Sequence, residues 1–185
     1  MLDIHSIEEL YNNKITVIRE WIFNLLNKYE QHKVLIHSKA FKSLPDYFNE
    51  KLLKNTFSIY VKDIPIIPFD KMGLDMYSEL ETKKFVGITY LNCFFINEKE
   101  ANNESLHFHE LIHVLQWKFL GIDKFLFCYA LGLLEHGYRR SPLEVMAYSH
   151  QSMFEAGEVY DVEQVIMKEM QHYVGSLRKY NIFTS

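Results

Sequence analysis

The sequence predicts an α+β fold, mostly helical, with a small β-sheet beside one chemically loaded helix. Three observations carry this. Apolar residues recur at helical spacing over much of the chain. Two stretches, Thr56–Val61 and Lys84–Asn97, are rich in β-branched and aromatic residues. Between Leu106 and Leu120 the helical pattern becomes apolar almost all round, as in a helix buried in a core, yet it contains histidines and a glutamate.

The elements follow in order. Ser6-Ile7-Glu8-Glu9 has capping-box spacing. The apolar period through Ile15, Ile18, Ile22 and Leu26 then predicts a long amphipathic helix ending near residue 30. His32 and His37 flank a short Val34-Leu35-Ile36 run and read as loop or surface histidines. Ser43-Leu44-Pro45-Asp46 opens a second helix to about Lys54, with Leu44, Phe48 and Leu52 inward. Thr56–Val61 alternates and predicts a strand. Ile64–Pro68 holds two prolines and reads as a connection, and Met72–Leu80 as a short helix. Lys84–Asn97 predicts one or two strands, with Gly87 and Asn92 as bend or bulge points. Asn102, Asn103 and Ser105 offer N-caps for the apolar helix, and Gly121 its C-cap. Phe125–Leu131 predicts another buried helix, broken near Gly132 or Gly137. Ser141-Pro142 opens a helix to about Ala156, and Asp161 starts the last. With no repeat or linker, 185 residues predict a single domain: a helical scaffold over 1–80 and a motif-bearing core over 84–157.

Composition excludes several classes. A net charge of −4 with no basic run gives no footing for nucleic acid. The longest apolar run, Phe125–Leu134, is about half of what spanning a bilayer needs. The amino terminus lacks the basic start and apolar core of a signal peptide, so the expected compartment is the cytoplasm. Cys93 and Cys128 have no metal-type spacing and read as buried free thiols.

The chemistry lies in His109-Glu110-Leu111-Ile112-His113. Residues four apart share a helix face, so His109 and His113 can aim two imidazoles at one Zn²⁺. Glu110 projects about 100° round the helix, where a carboxylate reaches a metal-bound water without being a ligand. Buried in an apolar helix, these groups would be costly without a partner, which a metal supplies. His107 points roughly 200° away from His109 and reads as a bystander.

A catalytic zinc wants a third protein ligand. Glu144 is the leading candidate, and His136, His150, Glu135 and Glu155 are the alternatives. Against it, Ser141-Pro142-Leu143-Glu144 is itself a capping box. His109-Glu-Leu-Ile-His113-Val-Leu-Gln116, with Pro142-Leu-Glu144-Val-Met-Ala147 downstream, resembles the glutamate-type zinc metallopeptidases, the gluzincins. It is most similar to a largely uncharacterised bacterial group within them. The resemblance covers about residues 84–157 and implies a zincin-like fold. In it His109, His113 and Glu144 hold zinc, Glu110 is general base toward the zinc-activated water, and the Gly87–Asn97 strand edges the cleft. Relatives often carry an acidic residue where this chain has Met146, so another group must orient the ligand histidines.

The implied activity is peptide-bond hydrolysis of a protein or peptide substrate. Tyr138 is the first choice for stabilising the oxyanion, ahead of His136, Tyr148 and Arg140. Two other classes compete. One is a non-catalytic scaffold that keeps the metal site; the other is a helical interaction domain with no metal. The intact Glu110 favours the enzyme, because a retired site need not keep its base.

Overall fold

The computed structural model describes residues 14–178. The expected capping box at Ser6–Glu9 lies outside them. The first helix among the described residues, α1 (Ile15–Lys28), buries Ile15, Ile18, Ile22 and Leu26 at spacings of three and four, as its apolar stripe requires. The helix expected over 43–54 is instead two short turns. A 3₁₀ turn spans Leu44–Asp46, and α2 (Glu50–Leu53) restarts where the Asn49 side chain accepts from the Leu52 amide at 2.8 Å. Asn49 wins as an N-cap because its short polar side chain satisfies an orphan amide that a continuous helix would have used. Leu44, Phe48 and Leu52 are nonetheless all buried.

Four strands form one mixed sheet: β1 (Val34–Leu35), β2 (Phe57–Val61), β3 (Gly87–Tyr90) and β4 (Cys93–Asn97), in the order β1-β2-β4-β3. The region expected to be helical scaffold therefore contributes two strands as well. β2 runs parallel to β4, and β3 and β4 form an antiparallel hairpin in which Thr89 faces Phe94 and Gly87 faces Ile96. Its turn is Leu91-Asn92, with Leu91 at φ 61°. Asn92 thus marks a turn as expected, whereas Gly87 opens β3 and makes no bulge in its pairing. Cys93 to Ile96 are all buried because β4 is covered on both faces. β3 is the edge strand beside the site.

Asn103 caps α3 (Glu104–His136) through the Leu106 amide. Every residue from Leu106 to Trp117 is buried, which the all-round apolar pattern foretold. Gly121, at φ 71° and ψ 175°, breaks the helical geometry and turns α3 into two arms. That backbone region is open essentially to glycine alone. The second arm runs unbroken through Gly132 to Gly137. Against α3 pack α4 (Pro142–Glu155) and α5 (Val162–Ser176), the latter capped by Asp161 as expected. Among the described residues no helix is long and apolar enough to cross a membrane. Cys93 and Cys128 are buried free thiols, and burial pushes both up to about 12.

His107 is not at the site. It is fully buried between α3 and the sheet, its Nδ1 2.7 Å from the Asn103 carbonyl and its Nε2 3.1 Å from the Tyr60 hydroxyl. As a neutral ring it donates to the carbonyl and accepts from the phenol. Burial, helped by Lys39, lowers its pKa from 6.5 to about 4. The unfolded chain therefore takes up a proton near pH 6.5 that the folded chain refuses until about pH 4. Stability should be intact above pH 6.5 and fall by roughly 2–3 kcal/mol on acidification to pH 4. In His107→Gln that increment should vanish from denaturant titrations across this window; an unchanged slope would place the titration elsewhere.

Candidate metal centre

His109 and His113 stand one turn apart on the first arm of α3, and Glu144 faces them from the first turn of α4. Their ligand atoms all lie within 4.8 Å of one another, and all three residues are buried. The two Nε2 atoms are 3.2 Å apart. Glu144 Oε1 is 3.6 Å from His113 Nε2, and Oε2 is 3.7 Å from His109 Nε2. A tetrahedral ion with bonds of about 2.0–2.1 Å has edges of roughly 3.3–3.4 Å, so the spacings suit a cation held between them. Glu144 Oε2 is buried with no hydrogen-bond partner, a costly arrangement for a carboxylate that accepts only from its other side.

The surrounding hydrogen bonds fix the protonation pattern. The Gln116 amide nitrogen donates to the Leu143 carbonyl at 3.0 Å, so its oxygen must face His113. His113 Nδ1, 2.8 Å from that oxygen, is then the donor, so the ring turns Nε2 to the cluster, where it offers a lone pair once its own proton has left. Gln116 therefore takes the orienting role for which Met146 has no carboxylate, while Met146 Sδ receives the same amide nitrogen at 3.4 Å. His109 Nδ1 has no such partner, and its ring is steered instead by contact with Tyr148. Burial pushes the His113 pKa down, but the facing Glu144 carboxylate prevails and holds it at about 9. Burial alone would raise the Glu144 pKa; the two imidazoles, His113 first, instead hold it well below the usual carboxylate range.

Glu144 does not cap its helix. Ser141 makes no side-chain capping bond, its hydroxyl is unpartnered, and the Glu144 carboxylate accepts from the Tyr129 hydroxyl at 2.9 Å. The alternatives lie elsewhere. His136 pairs with Glu135 at the exposed end of α3. His150 is buried between Tyr160 and Glu169. Glu155 engages Ser105 and Gln151.

Glu110 is set apart from the three. Its Oε2 accepts from Thr89 Oγ1 at 2.6 Å, and its Oε1 lies against Gly87, where any Cβ would collide with it. Gly87 and Thr89, two apart on β3, thus make one seat for the carboxylate. Burial raises the Glu110 pKa, against the pull of the nearby histidines. Tyr138 borders the same cavity as the cluster and packs its ring against Phe85. Arg140 is exposed. Known protein families, curated proteins and solved structures offer no match to the chain.

Proposed function

We propose that this protein is a zinc-dependent metallopeptidase of the glutamate-ligand kind, with His109, His113 and Glu144 as metal ligands and Glu110 as general base. The observation that carries this reading is the division of labour. Three buried donors converge on one point, while a fourth, Glu110, is held off it by Thr89. Two imidazole nitrogens and a carboxylate suit zinc, which when bound supplies Lewis acidity and lowers the pKa of water toward roughly 7.

The chain's own residues do the rest. Glu110, its pKa raised by burial, is suited to take a proton from the attacking water and pass it to the leaving amine. Tyr138, which lines the same cavity, and Tyr148, whose ring lies against His109, are the phenols near enough to serve as oxyanion donors. The edge of β3 offers main-chain pairing to an extended substrate. Because the Trp117 indole already occupies the Thr89 carbonyl at 3.2 Å and the Asn97 amide the Val86 carbonyl at 2.8 Å, that pairing centres on Gly87.

The test uses the full chain in a cell lysate. Fragments with new amino termini should appear, vanish when the protein is stripped with 1,10-phenanthroline, and return with one equivalent of zinc. Identical fragments from stripped and loaded protein would overturn the proposal. Zinc binding should also depend on pH. It must displace the His113 proton, so apparent affinity should rise about tenfold per pH unit and level off above about 9. Chelator competition that gives one affinity from pH 6 to 9 would contradict it.

A further inference from the structure

A cavity of about 90 Å³ opens beside His109, Glu110, His113 and Glu144 and runs in among apolar residues of α1, the Ile64–Leu80 connection and the second arm of α3. Ile15, Ile66, Leu80, Phe125, Ala130 and Leu133 are among its walls. Apart from the metal cluster and Tyr138, its polar side chains are spent. Tyr90 donates to the Pro65 carbonyl, Tyr77 to the Ala130 carbonyl, Trp117 to the Thr89 carbonyl, Tyr129 to Glu144 and Thr89 to Glu110. Apart from the site residues, no charged side chain lines it among the described residues.

From this we infer that the substrate carries an aliphatic side chain of about valine-to-leucine size next to the cleaved bond, and that this cavity receives it. The inference rests on the peptidase reading above. A polar or charged side chain would give up its water and find no free partner among these walls beyond the Tyr138 hydroxyl. Size sets the other limit: an apolar cavity of about 150 Å³ takes a benzene ring, so about 90 Å³ admits a branched aliphatic chain and refuses an indole.

The experiment measures binding of hydroxamic acids, whose head group chelates zinc, to the zinc-loaded full chain. Zinc loading is checked first by equilibrium dialysis of wild type and His113→Ala. Along the acetyl, propionyl, butanoyl and 3-methylbutanoyl series, affinity should rise about fourfold per added carbon. The indole-3-acetyl compound and the succinamoyl compound should fall back to the acetyl value. Ala130→Leu adds three carbons to the cavity wall and should flatten the series. Leu133→Ala widens the cavity and should move the optimum toward the indole, which keeps the test open if Ala130→Leu folds poorly. Full zinc loading with a flat wild-type series would overturn this inference alone. Failure of the wild type to bind zinc would overturn the proposed function, and this inference with it.

Discussion

Glu110→Gln should remove turnover while leaving zinc content and thermal stability close to wild type. The amide is the same size as the carboxylate, so it keeps the space that Gly87 leaves open and can still accept from Thr89. It lacks a basic oxygen, and general acid–base catalysis is typically worth about 10²–10⁴-fold. Nothing is withdrawn from His109, His113 or Glu144, and the variant no longer buries an ionisable acid. The readout is the lysate fragment assay run beside metal analysis of the same preparations. Undiminished cleavage by a zinc-loaded Glu110→Gln protein would remove Glu110 from the chemistry.

Glu144→Gln should act on the other quantity. Glu144 is the only anion among the three converging donors and is 2% exposed. Its replacement leaves a dication facing three neutral groups in a site that water scarcely reaches. Zinc affinity should fall by more than the roughly 10–100-fold that loss of an outer hydrogen-bond partner costs. Tyr129→Phe, which removes only the phenol behind Glu144, gives that smaller loss as an internal scale. If Glu144 served only the helix end, glutamine would be an accepted replacement there, and affinity would hold. Chelator competition on the two variants separates the cases.

The local parts of this arrangement were legible in the sequence because they obey periods. His109, Glu110 and His113 share one helix, so their spacing alone sets their relation. The buried run around them and the caps at Asn103 and Asp161 are equally local signals. Gln116 was in principle readable, one turn beyond His113 on the same face, but an amide carries no distinctive signature. Gly87 and Thr89 lie two apart on a strand, yet their joint role needs the register of β3 over α3, which no single stretch encodes. Tyr129 was beyond reach. It meets Glu144 only because the chain reverses between them. The expected helix over 43–54 failed for a related reason: its apolar period is real, but one asparagine cap outweighs it locally.

The corner at Gly121 has a mechanical consequence. Tyr129 stands eight residues along the second arm, about 12 Å from the corner at roughly 1.5 Å per residue. A change of about 5° in the angle between the arms would carry its hydroxyl by about 1 Å, as much as separates a hydrogen bond from none. One pair of backbone torsions thus acts as the fulcrum of a lever whose tip rests on Glu144. The arm is braced from outside: the Tyr173 hydroxyl, on α5, reaches the Cys128 carbonyl at 3.4 Å, one residue short of Tyr129. The alignment of Glu144 therefore depends on a helix that contributes no atom to the cluster.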